Sequence, residues 1–208
     1  MNSKLLLLLL IPSLLLNIFF IKKNNDANRV IEVVDGDTFQ LQSGQRIRLM
    51  GVDAPEYDRC GGLEAQQKLS TLIFGKTVVL KEEAKEAYGR TQALVYVGSS
   101  FINKIIMDEG LAVPDYRKNT QRDILTQSYH NAKNANLGIF GSLCQDKITD
   151  PECVIKGNID MASGKKFYHF PDCSHYNEIV IDSYRGEKYF CTEKEALDAG
   201  FTKASGCF

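Results

Sequence analysis

Val34-Asp35-Gly36-Asp37-Thr38 and, one hairpin later, Arg46-Ile47-Arg48-Leu49-Met50-Gly51-Val52-Asp53-Ala54-Pro55-Glu56 carry the most informative pattern in this chain. Four acids and two arginines fall within the 22 residues from Asp35 to Glu56. Arg29–Val34, Thr38–Gln42 and Arg46–Val52 are short, β-branched and apolar-rich, and each reads as a strand. Ser43-Gly44 between the last two signals a hairpin. The acids therefore fall on strand ends and turns. Taken singly, each piece has a plain reading. Asp35-Gly36 is a turn signal, and Asp53-Ala54-Pro55-Glu56 is a helix-entry turn. Arg46 and Arg48 alternate with Ile47 and Leu49, as the solvated face of a strand would. An EF-hand is excluded, because the Asp ladder breaks at Phe39 and Gln40 and no Glu stands at its twelfth position. Together the pieces imply more. A hard cation such as Ca²⁺ takes several oxygen ligands, including carboxylates and main-chain carbonyls. Arg48 adds a planar fork suited to phosphate oxygens. The pattern predicts a metal and a phosphate sharing one pocket.

Thr77–Glu82 and Gln92–Val97 add two further strands. Leu63–Phe74 sets Leu63, Ala65, Leu69, Leu72 and Ile73 at roughly helical spacing and stops at Gly75. Phe101–Glu109 reads as a second helix, with Gly110 past its end. Gln121–Ala135 reads as a third, preceded by Asn119 and Thr120 as cap candidates. Strands first, with helices mixed in later, predict an α+β fold with a small barrel. A hydrophobic share of 44% and a charged share of 25% exclude wholesale disorder and collagen-like repeats. The balance of 25 basic against 26 acidic residues gives no global basic field to announce nucleic acid.

Tyr88-Gly89-Arg90, just ahead of the Gln92–Val97 strand, completes the set. With it, over roughly residues 28–142, the sequence closely resembles the thermonuclease family (staphylococcal nuclease-like proteins). Asn103 to Glu109-Gly110-Leu111-Ala112 and the closing Gly138-Ile139-Phe140 fit in the family's order. The resemblance implies a five-stranded OB-fold β-barrel with three helices, across residues 28–145, and one Ca²⁺ ion in a phosphodiesterase site on its face. It implies Asp37 and Asp53 as carboxylate ligands and Ala54 as a main-chain carbonyl ligand. Glu56 falls at the general-base position, Arg48 and Arg90 at the two phosphate-binding positions. Asp35 stands behind the ligands, and Tyr88 and Tyr116 fall where tyrosines contact substrate. The implied activity is hydrolysis of DNA and RNA with little base preference, leaving 3′-phosphates. One departure is Ala87, where many relatives carry a cation; Lys85 stands nearby. His130 reads as a surface or half-buried residue of the third helix. The rival class is a non-catalytic nucleic-acid-binding OB-fold module at the cell envelope. The intact set of Asp37, Arg48, Asp53, Glu56 and Arg90 argues against it.

Residues 1–27 hold the apolar run Leu5–Ile21, broken only by Pro12, Ser13 and Asn17. At 1.5 Å per residue a helix of this length spans roughly 25 Å, near the short limit for a membrane crossing. The run has no polar face, so it reads as a signal anchor or a signal peptide, and the chain as extracytoplasmic, either membrane-anchored or secreted. The six cysteines fit that compartment. Cys60 is expected to meet Cys144, with pairing kept within segments. Residues 146–208 read as a small Cys-rich α+β accessory module, too small to stand without cross-links. Cys153, Cys173, Cys191 and Cys207 supply them as two disulfides or, with His169 as an alternative ligand, as a zinc site. Thr192 with Glu195 forms a capping-box pattern before a short helix that ends near Gly200. The tail resembles a small accessory module found behind such nuclease domains in bacteria. Its Tyr168-His169-Phe170-Pro171-Asp172-Cys173 run is similar to that of a DNA-repair metal-binding domain. No protein partner can be inferred.

Overall fold

The computed structural model of the protein describes residues 27–86, 89–115, 117–144, 150–160 and 163–207. The expected N-terminal anchor lies outside them. Among the described residues no helix is long and apolar enough to cross a membrane.

The β-branched, apolar-rich runs read in the sequence build the first sheet. Its strands are β1 (Val30–Val33), β2 (Thr38–Leu41), β3 (Arg46–Leu49), β5 (Val79–Lys85) and β6 (Thr91–Val97), in the order β1-β2-β3-β6-β5. Two-residue strands β4 (Val52–Asp53) and β8 (Val113–Pro114) pair with each other, and β7 (Ser100–Phe101) pairs with β6. In β3, Ile47 and Leu49 are fully buried while Arg46 is exposed and Arg48 is half-buried. Burial of each such aliphatic side chain contributes roughly 1.5–3 kcal/mol, so the face is specified and a one-residue slip would expose the whole set. The β3–β6 pairing is parallel; the neighbouring pairs are antiparallel. The outer edges of the sheet also meet. Arg29 bridges Thr77, and Val30 N–H donates to the Lys76 carbonyl at 2.9 Å.

Helix α1 (Gly62–Ile73) buries Ala65, Leu69 and Ile73, one residue per turn on one face, against this sheet. Helix α2 (Ile102–Asp108) adds Ile102, Ile106 and Met107 to the same core, and α3 (Arg122–Asn134) adds Leu125. Asn103 is fully buried in α2. Its Oδ1 accepts from Val95 N–H at 2.8 Å and its Nδ2 donates to the Met50 carbonyl at 2.9 Å, which ties the helix to β6 and to the end of β3. The cap of α3 differs from expectation. Gln121 takes the N-cap position without a side-chain cap, and Thr120 is drawn away by Glu82. Glu82 sits at φ 53° in an irregularity of β5 between Lys81 and Ala84, and this bulge aims its carboxylate at Thr120.

The tail forms a second sheet, β11-β9-β10-β12, from β9 (Ile155–Ile159), β10 (Lys166–His169), β11 (Lys188–Phe190) and β12 (Thr202–Lys203). It has its own cluster of Ile155, Tyr168, Phe190, Ala196 and Phe201. Helix α4 (Glu193–Asp198) starts as the sequence indicates, with Thr192 Oγ1 accepting from Glu195 N–H at 3.2 Å. Disulfides Cys153–Cys191 and Cys173–Cys207 staple the tail. The zinc alternative is thereby overturned: His169 lies close to Cys173 and Cys207, but those sulfurs are bonded to each other. Cys60 pairs with Cys144. Around that disulfide a third cluster of Ile139, Cys144 and Tyr184, with Phe140 and Val113 against it, joins the tail to the larger unit.

Candidate active site

The turn between β1 and β2 is built by Asp35. Its Oδ1 accepts from Asp37 N–H at 3.0 Å and from Thr38 N–H at 2.7 Å, the local bond that makes Asp a turn residue. Gly36 is required by close approach. A Cβ there would stand 2.5 Å from that of Ala65 and 2.6 Å from that of Ala54. The turn is thus pressed between α1 and the strand that follows β3, and this pushes Asp37 inward.

Asp37 is 2% exposed. Its Oδ1 accepts from Thr38 Oγ1 at 2.8 Å and from Arg48 Nη1 at 2.7 Å; its Oδ2 accepts from Ala54 N–H at 3.0 Å. The second Arg48 nitrogen, Nη2, reaches Asp53 Oδ1 at 2.6 Å. One guanidinium therefore holds two carboxylates, one on the β1–β2 turn and one on β4. The two acids differ in setting, since the Asp53 side chain is 57% exposed. Burial pushes the Asp37 carboxyl up to about 7, against the lowering by Arg48. Arg48 itself is raised: burial lowers it, but Asp37 and Asp53 outweigh that. Its Nε is buried and without a partner among the described residues. Asp37, Arg48, Asp53 and Ala54 are thus brought together.

Arg90 stands apart from that group. Its Nε bonds Glu86 Oε2 at 2.7 Å, and Glu86 Oε1 accepts from Arg117 Nη1 at 2.5 Å and from Gln92 Nε2 at 2.9 Å. Burial raises the Glu86 carboxyl, but the bonds from Arg117 and Arg90 outweigh it and leave it below its ordinary value. Gln92 is the cross-strand neighbour of Arg48, so the two arginine systems sit on adjacent strands. Glu56 is exposed on the turn before α1. Gly62 keeps that turn tight, since a Cβ there would stand 2.0 Å from the Glu56 carbonyl oxygen. Tyr88 and Tyr116 lie outside the described residues. Glu86, Gln92, Asp115 and Arg117 are not legible in the sequence as site residues. Glu86 ends the polar run Lys81–Glu86, and only the β5–β6 pairing shows that it turns inward.

Arg48, Asp53, Ala54 and Pro55 line one wall of a cleft of about 550 Å³, with Val113, Asp115 and Arg117 beside them and residues of the tail opposite. An α+β unit with a buried carboxylate, a bridging arginine and an open cleft defines a class able to bind an anion beside a hard cation.

Comparison with known proteins narrows that class. The family model described as "Staphylococcal nuclease homologue" matches residues 46–142. A Haemophilus influenzae protein named "Uncharacterized endonuclease" is 33% identical over 116 residues, covering 54% of this chain and 65% of that protein. "Micrococcal nuclease" of Shigella flexneri is 34% identical over 95 residues, 40% of this chain and 55% of that protein. "Thermonuclease" of Staphylococcus hyicus is 33% identical over 132 residues, 57% of this chain and 78% of that protein. The chain belongs to the staphylococcal nuclease homologue family. It spans 65% and 55% of the length of the first two relatives.

Proposed function

We propose that the protein is a Ca²⁺-dependent nuclease that hydrolyses phosphodiester bonds of DNA and RNA with little sequence preference. The observation that carries this reading is the single Arg48 guanidinium joining buried Asp37 to exposed Asp53 at the edge of the cleft. Names borne by relatives support it. We read the first sheet, with its edges bridged by Arg29 and Thr77, as a closed five-stranded OB-fold barrel across residues 28–145. Residues 146–208 are then an accessory module. The apolar Leu5–Ile21 run and the disulfides support an exported chain, anchored or secreted.

The donor set fits Ca²⁺. It is all oxygen, and Asp37 is a buried carboxylate that burial raises against the lowering by Arg48. Asp37, Asp53 and the Ala54 carbonyl would hold the ion, which supplies charge neutralisation to the bound phosphate. The chain's own groups do the rest. Arg48, whose planar guanidinium already spans Asp37 and Asp53, binds and orients the diester. Arg90, held by Glu86, would take a second phosphate oxygen. Glu56 accepts the proton of a water that forms the new P–O bond. The bond to the 5′ oxygen breaks, that oxygen takes a proton from solvent, and the phosphate stays on the 3′ side. General-base catalysis of this kind is worth typically ~10²–10⁴ in rate. Glu56→Gln is therefore expected to lower kcat on single-stranded DNA by about that factor with Kd little changed. Unaltered turnover would remove Glu56 from the mechanism, and binding without turnover in the native chain would favour a non-catalytic binding module.

A further inference from the structure

The wall of the cleft opposite Asp53 belongs to the tail. Lys166, at the start of β10, and Arg185 line it together with Tyr184. Tyr184 is 7% exposed and meets Phe140 edge-on at 5.9 Å, beside the Cys60–Cys144 disulfide. Ser183 Oγ donates to the Cys144 carbonyl at 2.7 Å. These contacts fix the neighbouring Arg185 against the larger unit. Arg185 Nε reaches the Tyr184 hydroxyl at 3.3 Å and Asp182 Oδ2 at 3.5 Å, which orients its guanidinium fork. Arg59 approaches from the other side, its Nε 3.4 Å from where a Cβ on Gly186 would stand.

The charge of this cleft departs from that of the chain. The whole protein carries a net charge of −1. The cleft is lined by five basic residues, namely Arg48, Arg59, Arg117, Lys166 and Arg185, against two acidic ones, Asp53 and Asp115. Lys166 and Arg59 make no ion pair among the described residues, and Lys166 rests its ammonium over the Phe201 ring at 5.4 Å. Lys166 and Arg59, left without carboxylate partners in a concave, open site, are suited to a polyanion, and Arg185, paired with Asp182, lines the same cleft.

We propose that the tail is a substrate-binding wall: Lys166 and Arg185, with Arg59, hold backbone phosphates of a single-stranded nucleic acid that flank the bond addressed by the Asp37–Arg48–Asp53 group. The proposal rests on the nuclease reading for the identity of that bond, but the binding it describes can be measured without turnover. Tyr184 and the Cys60–Cys144 disulfide are the positioning elements that hold this wall at the cleft.

The test is fluorescence anisotropy of labelled oligothymidylate with the full chain and Ca²⁺ across a salt series, in a Glu56→Gln background. Each phosphate that the protein no longer neutralises lowers the steepness of log affinity against log salt by about 0.7 for a single strand. Lys166→Gln and Arg185→Gln should each weaken binding several-fold and lower the slope by about that amount, and the double variant by about twice as much. Arg185→Lys keeps the charge and should restore most of the slope. Lys166 is exposed, so Lys166→Gln decides the matter alone if Arg185→Gln fails to fold. An unchanged slope in Lys166→Gln and in every folded Arg185→Gln variant overturns the proposal. If the native chain cleaves DNA and the slopes stay the same, the wall is refuted and the nuclease reading stands. If it binds with the expected slopes and never cleaves, the nuclease reading is refuted and the wall stands.

Discussion

Single residues place the site. Gly36 shows how tightly: the Asp35–Asp37 turn has no room for even one methyl between Ala54 and Ala65. Forced overpacking in a packed region costs typically about 1–3 kcal/mol. Gly36→Ala is expected to lower unfolding free energy by about that amount in a denaturant titration and to reduce activity by moving Asp37. A fully stable, fully active variant would show that the turn can yield. This tightness is invisible in the sequence, where Asp35-Gly36 is an ordinary turn signal. The residues that the sequence marks well are those set by their neighbours along the chain. Asp37 and Asp53 stand on a turn and a strand end, and Arg48 alternates with Ile47 and Leu49 on β3. Glu86 escapes notice because its partners Arg90, Gln92 and Arg117 gather around it through strand pairing and a distant loop.

At the scale of elements, β1, β2, β3, β6 and helices α1 to α3 are legible as short apolar runs or helical spacing between turn signals. Alternation gives β3 its buried Ile47 and Leu49, and helical spacing gives α1 its stripe. The start of α3 is less so, because Thr120 is captured by Glu82 of β5, 38 residues earlier in the chain. In the tail, the local cap of α4 is readable and the strand order is not, since β12 pairs in parallel with β10 over a long separation. One tie between elements there has a pH signature. Glu187 is buried and its Oε1 and Oε2 accept from Ile159 N–H and Asp182 N–H, each at 2.8 Å, tying β9 to the segment that carries Arg185. Burial raises its carboxyl above the ordinary Glu value, although the two N–H bonds oppose the shift. A raised folded pKa favours the folded state most below the unfolded pKa, and that advantage is lost as pH rises through the folded pKa. The stability of the native chain relative to Glu187→Gln is therefore expected to decline from acid pH up through the raised carboxylate range and then level off. Denaturant titrations across pH would show this, and a flat difference would contradict it.

At the scale of the whole molecule, the larger unit and the tail meet at the cluster around Cys60–Cys144. That bond closes a loop with a sequence separation of 84. Chain-entropy arguments give roughly 4–5 kcal/mol for such a loop, and native disulfides typically contribute about 2–5 kcal/mol. Cys60→Ser with Cys144→Ser should lower stability by that order in a denaturant titration and weaken oligonucleotide binding as Tyr184 loosens; unchanged stability would deny the bond this role. The charge balance also changes meaning at this scale. A chain with 25 basic and 26 acidic residues lines one cleft with five basic residues against two acidic ones. Whether these carboxylates and arginines form a metal-dependent phosphodiesterase site is decided by the rate of single-stranded DNA cleavage by the purified native chain with Ca²⁺, with excess chelator, and with Ca²⁺ restored. Cleavage with Ca²⁺, its loss with chelator and its return on restoration are expected; full cleavage in excess chelator, or none in Ca²⁺, would refute such a site.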